Sequence, residues 1–544
     1  MAPGRWVSAA VLLFITLQES LFVDCNQIYD WTVSFAQRKP LGVEKPVIVI
    51  NDEFPGPLLS ATTNDVVTVN VHNNLTEPLL LTWNGIQQRR NPWQDGVQGT
   101  NCPIPPGANW TYEFQVKDQI GSFFYYPSFL FHKASGGYGP VRVYNRVAVP
   151  TPFPTPMGDF DVLVGDWYNA DHRDLQSRLD QQVGLPPNPD GVLINGLASL
   201  QTSFTLKPGG TYRFRISNVG LKATINLKIQ DHMMQLIEAE GAHTLKEYYD
   251  NLDVHVGQSY SVLVTANKDL SKSAFYMVAS TRFTAKEMVG LAILNYEGHE
   301  GQPEGLFPFG PDDHDFSSSI EQAFSIRWDP RVGAARPNPQ GSFHYGLINV
   351  SRTIVLENNV AMIGNQLRYT INGISFVYPE TPMLLANYFG LKEMENYTRM
   401  PDVPDYREPQ LGSSLLDLEY RSFVHFVFQN SELSLQTWHF DGYSVFIVGM
   451  GEGRWTEKER VNYNMFDAIS RSTFQVYPNS WTAVMVEMDN YGVWNLRSQD
   501  GERRYLGQEL YLRVKGNGTD SPGTIPARDM RSIPPNAIKC GMAH

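Results

Sequence analysis

The chain has 544 residues, 42% hydrophobic and 18% charged, with a formal charge of −13. At about 150 residues per domain that length is too great for one hydrophobic core and points to three domains. The acidic balance excludes a general role on nucleic acid or on an anionic membrane, because both require a basic footprint.

At the start of the chain Arg5 precedes an apolar stretch at 7–17. It is too short to cross a bilayer and has the build of a secretory signal, so residues 1–23 are expected to be removed, with the mature start between Ser20 and Asn26. Val67, Val69 and Val71 then alternate with Thr68, Asn70 and His72, the period-two pattern of a half-buried strand. Similar alternation recurs at 212–216, 260–264, 423–428 and 510–514, with Gly/Pro/Asn turns at 51–57, 103–107 and 207–210 between such runs. Short strands with punctuating turns predict sandwiches or closed barrels. A Pro-rich joint at 149–157 and a polar region at 297–341 divide the chain, and the expected domains are 24–150, 151–310 and 311–544.

No later run offers 18 apolar residues, and the polar end of the chain lacks the hydrophobic tail of a lipid-anchor signal, so no membrane anchor is expected. Sequons at Asn74, Asn109, Asn349, Asn396 and Asn517 suit an exported glycoprotein. There are three cysteines. In an oxidising compartment Cys102 and Cys540 are candidates for a disulfide, while Cys25 leaves with the signal or stays unpaired; three free thiols are the alternative.

The segment at 83–107, WNGIQQRRNPWQDGVQGTNCPIPPG, resembles the first-domain signature of plant ascorbate oxidases and laccases. Blocks at 51–57, 121–140, 436–449 and 492–514 extend the likeness over most of the chain. Within the multicopper oxidase superfamily the sequence is similar to the pollen-type ascorbate oxidase homologues and the skewed-growth proteins. The resemblance implies an all-β fold of three cupredoxin-like Greek-key sandwich or barrel domains, supports the Cys102–Cys540 pairing, and implies a place in the plant extracellular space or cell wall and a role in cell expansion such as pollen-tube growth.

The same resemblance assigns the copper positions, and few of them carry ligands. A blue copper needs two His, a Cys thiolate and a weak axial ligand; here the positions read Gln436, Ser498, Arg503 and Gln508. The oxygen-reducing cluster of the family uses four His-x-His pairs, which here read Thr82 and Asn84, Tyr126 and Ser128, His439 and Asp441, Arg497 and Gln499. A fixed cation at Arg497 opposes Cu(II). No cofactor is therefore expected; the residual metal candidate is His439 with Asp441, near Tyr443, and its alternative is a hydrogen-bonded His and Asp in a polar pocket.

The other histidines are scattered and offer no better constellation; His232 is read as structural, and Glu238 and Glu240 as exposed or packed at a turn. Two readings of the remaining polar groups stay open. Arg89, Arg90, Trp93, Arg497 and Arg503 could form a pocket for an anionic or sugar-like ligand, or Arg497 and Arg503 pair with carboxylates such as Asp441 and Asp500 and fill the vacated space. The functional expectation is a secreted, non-catalytic relative of the oxidases, with an oxidoreductase using one copper and a wall-polysaccharide binding protein as alternatives, and wall polysaccharide or wall protein as the partner class.

Overall fold

The computed structural model describes residues 26–147, 149–181, 188–267, 274–331, 344–406, 408–516 and 530–543. The signal segment, Cys25 and Asn517 lie outside them. Strands dominate and form six sheets. They pair by position in the chain. Two four-stranded sheets use the strands from Asn26–Arg38 to Gly139–Tyr144; two more use those from Asp159–Trp167 to Val289–Tyr296; the last two use those from Arg352–Ile363 to Glu509–Lys515. Each pair encloses its own apolar core, as a sandwich must, because a sheet with one apolar face is stable only against another layer. Trp31, Val69 and Trp83 lie in the first core, Phe214, Val262 and Leu294 in the second, Phe426, Trp438 and Trp494 in the third.

Strand Val66–Asn73 shows the expected alternation, with its three inward valines fully buried and His72 exposed. Strand Phe423–Asn430 departs from it, since every residue is buried. Its inward face, Val424, Phe426 and Phe428, belongs to the sandwich core, while Phe423 and Val427 on the other face lie under a second cluster with Tyr345, Tyr463 and Trp481. A sheet covered on both sides has no polar face to display.

Cys102 and Cys540 form a disulfide. It ties the first domain to the last residues of the chain, where Met530 and Ala543 are buried beside Trp93. Asn74, Asn109, Asn349 and Asn396 are all exposed.

Candidate functional site

The positions of interest lie where the three domains meet, and strand Gln436–Phe440 is their centre. It pairs on one side with Thr473–Val476 and on the other with Gly492–Ser498, which places His439 opposite both Thr473 and Arg497. The strand Leu81–Asn84 and its neighbour Gly121–Pro127 supply the residues of the first domain.

Gln436, Ser498, Arg503 and Gln508 do converge. The Gln508 amide donates to Gln436 Oε1 at 2.7 Å, Arg503 Nη1 donates to Gln508 Oε1 at 3.2 Å, and the Ser498 N–H donates to the Gln508 carbonyl at 3.0 Å. Arg503 turns its other arm to Glu432 Oε2 at 2.6 Å and Ser434 Oγ at 2.7 Å. All four are buried. This set offers neither thiolate nor imidazole, and it does not fit a blue copper.

The second group is built around a charge pair. Arg497 has no exposed surface; its Nη1 donates to Asp441 Oδ2 and, at 2.8 Å, to Asn495 Oδ1, while Nη2 reaches the Tyr126 hydroxyl at 3.3 Å. His439 is committed at both ring nitrogens, Nδ1 to Thr473 Oγ1 at 2.7 Å and Nε2 to Asp441 Oδ1 at 3.0 Å. Gln499 Nε2 donates to Asn84 Oδ1 at 2.7 Å, and Asn84 donates to the Gly257 carbonyl of the second domain at 2.9 Å. Thr82 and Ser128 donate to the backbone carbonyls of Asp95 and Gly96.

The electrostatics follow from this pairing. Burial alone would raise the Asp441 carboxyl, but the charge of Arg497 and the His439 bond outweigh it and hold it down to about 2. Burial would lower the Arg497 guanidinium, and Asp441 more than compensates, so it stays fully charged. The imidazole of His439 is pushed below its ordinary value by burial, with Arg497 acting in the same sense. A cation locked between Asp441 and Tyr126, beside one imidazole with no nitrogen to spare, does not fit a copper cluster. Tyr443 is likewise engaged, donating to the Asn490 carbonyl.

What space remains is a cavity of about 30 Å³ lined by Tyr126, Ser128, Lys133, Ser498, Gln499 and Arg504 among others, room for a water or two. Lys133 Nζ sits 4.7 Å from the centre of the Tyr126 ring.

Arg89, Trp93, Arg497 and Arg503 are held by four different sets of partners. Arg89 grips Asp489 with both arms at 2.7 and 2.8 Å, and Trp93 Nε1 donates to the Arg531 carbonyl at 2.9 Å. The Arg90 backbone spans Asn490 and Arg531. Arg89, Arg90 and Trp93 thus stitch the first domain to the third and to the end of the chain. Arg503 pairs with Glu432, not with Asp500, whose carboxylate caps the helix Gly501–Tyr505 instead. His232 bonds Tyr296 and the Gln230 carbonyl, both in the second domain.

Of the two readings of Glu238 and Glu240, exposed or packed at a turn, the first is corrected, since both are buried, and Glu240 stands at a turn. Glu238 lies 3.9 Å from Arg213. Glu240 reaches across to the third domain, where its Oε2 accepts from the Ser472 N–H at 2.7 Å and the Thr473 N–H at 3.1 Å and its Oε1 from Arg471 at 3.2 Å. Sequence reasoning missed this role, and it missed Thr473, Asn495 and Glu432, because none sits in a family copper position; Thr473 and Glu432 act on residues 34 and 71 positions away, whereas Asn495 stands only two residues from Arg497 on the same strand.

Three sandwiches meeting at a polar centre define a protein of the three-domain cupredoxin class. Multicopper oxidase family profiles match residues 32–148, 158–299 and 380–518. The chain is 47% identical to an L-ascorbate oxidase homolog of Brassica napus, covering all of this chain and 96% of that one. It is 46% identical to the monocopper oxidase-like protein SKU5 of Arabidopsis thaliana, covering 93% and 88%. The chain belongs to the multicopper oxidase family. The solved laccase of Botrytis aclada shares its fold at a TM-score of 0.74 and 22% identity, over 90% of this chain and 87% of that one.

Proposed function

We propose that this is an exported plant protein of the multicopper oxidase family that turns over no oxidase chemistry and serves in the cell wall during expansion, pollen-tube growth included. One observation carries the reading: the Arg497 guanidinium, fully buried and bonded to Asp441, stands among the residues assigned to the oxygen-reducing cluster. The family passes electrons to oxygen through its coppers, and the side chains gathered here offer no thiolate and a single, already bonded imidazole to hold them. The wall and expansion role rests on the resemblance, and the exposed sequons at Asn74, Asn109, Asn349 and Asn396 support export. Wall polysaccharide or wall protein is the partner class on this reading.

The test is metal analysis with an absorption spectrum and an oxygen-uptake assay, on protein from a secretory host, loaded with copper and freed of loosely held ion. The expected result is no blue absorption and no uptake with ascorbate or phenols. One tightly held copper per chain, lost in His439→Ala, together with oxygen uptake, would overturn the reading.

A further inference from the structure

Away from the three-domain centre, at the junction of the first two domains, three side chains from separate segments converge. Glu77 lies in the loop after strand Val66–Asn73, His132 opens the short turn His132–Ser135, and His172 begins the helix His172–Asp180. Both imidazoles aim Nε2 at one carboxylate oxygen: Glu77 Oε2 is 2.7 Å from His132 and 3.0 Å from His172. The rings cross at 86° with centroids 5.1 Å apart. Both are buried, at 1% and 2% exposure, and Glu77 closes the cluster on the solvent side with 24% of its side chain accessible.

We propose that Glu77, His132 and His172 form a binding site for one divalent metal ion of the zinc type. Two imidazoles and a carboxylate with an open fourth position are a zinc donor set, and Zn–N and Zn–O bonds of about 2.0–2.2 Å put such donor atoms about 3.3 Å apart. The Oε2–Nε2 separations of 2.7 and 3.0 Å must open by about 0.6 and 0.3 Å to admit the ion, and all three donor atoms lie within 4.8 Å of one another. Calcium and magnesium are disfavoured because they take oxygen ligands throughout.

The surroundings are those a metal site uses. A ligating imidazole donates its other N–H to a carboxylate or hydroxyl; His172 Nδ1 has Ser135 Oγ at 2.8 Å and Asp171 Oδ1 at 3.3 Å. His132 Nδ1 is buried with no hydrogen-bond partner among the described residues; its Nε2–H donates to Glu77 and would give up that proton to bind the ion. Arg173 Nε binds Glu77 Oε1, which fixes the carboxylate and leaves Oε2 for the ion. The Arg173 side chain is 46% exposed, so its charge is screened by water.

The full secreted chain, stripped by chelator, is titrated with zinc by calorimetry and then desalted for metal analysis. The expected result is one zinc per chain, lost in His132→Ala and in His172→Ala and kept in His439→Ala. Glu77→Gln, which preserves shape, is expected to weaken binding at least about tenfold. Zinc that washes away on desalting, or one zinc retained by both histidine variants, would overturn the site. Because either variant could unfold, cobalt(II) in the unmodified protein gives an independent reading: the visible spectrum of a four-coordinate ion supports the site, and that of a six-coordinate aqua-like ion overturns it.

Discussion

Arg497 and Asp441 are a buried ion pair, and such pairs are costly to break and cheap to replace. Removing one partner leaves an uncompensated charge out of water, at about 3–5 kcal/mol, whereas apolar residues of similar volume at both positions are close to neutral. Asp441→Asn is therefore expected to lower unfolding stability by that amount, and the double change Asp441→Leu with Arg497→Met to recover most of it, as read by denaturant unfolding. Equal losses in the single and double variants would show that the two side chains do not act as a pair. The pair also predicts an acid response. The folded Asp441 carboxyl titrates near 2 against an ordinary 3.8, so the unfolded chain binds its proton first. The stability it contributes is fully present above about pH 4 and drains away as pH falls toward 2. Asp441→Asn should show a shallower acid loss than the unmodified protein over that window.

At the scale of elements, one carboxylate gathers three consecutive residues across the seam between the second and third domains, where Gln258 also donates to Gln475 Oε1 at 2.9 Å. Glu240 binds Arg471, Ser472 and Thr473, and Thr473 holds His439 through Nδ1. Glu240→Ala strands Arg471 with only the Tyr260 hydroxyl at 2.8 Å, and the expected cost is again about 3–5 kcal/mol. The local signature is faster amide exchange along Thr473–Val476 and its neighbour Gln436–Phe440; unchanged exchange there would show that the seam is held by other contacts. This dependence marks what the sequence could and could not tell. The strand carrying Val67, Val69 and Val71 was legible because one of its faces meets solvent. The family copper positions were legible only through the resemblance, which assigns them; in the fold Gln436, Arg503 and Gln508 are joined by hydrogen bonds. Asn495 stands two residues from Arg497 on one strand, where period-two alternation could have found it, but Glu432 is brought in by tertiary packing that no local pattern encodes. The histidines at 132 and 172 read as scattered for the same reason: Glu77 lies 55 and 95 residues from them.

On the scale of the whole molecule, the disulfide closes a loop whose ends are 438 residues apart, and its effect is local as well as global. Chain-entropy reasoning assigns a loop of that length about 6 kcal/mol, while disulfides typically deliver about 2–4 kcal/mol. Residues 530–543 run over the seam between the first and third domains. There the Arg531 N–H donates to the Arg90 carbonyl at 2.8 Å and the Met542 N–H to Thr381 Oγ1 at 2.9 Å. The Arg531 carbonyl also accepts from Trp93 Nε1, and Met530, Ile533, Ile538 and Ala543 pack in one cluster with Trp93, so the tail covers that ring. Cys102→Ser with Cys540→Ser is expected to free the tail before the domains unfold, because it touches the sandwich cores only through the partly buried Ala537 and Ile538. Protease should trim the variant near residue 530 under conditions that leave the native chain whole, and Trp93 emission should move to the red as water replaces Met530 and Ala543. If trimming and emission change only when the whole molecule melts, the tail is bound by its packing and the disulfide acts on the unfolded chain alone.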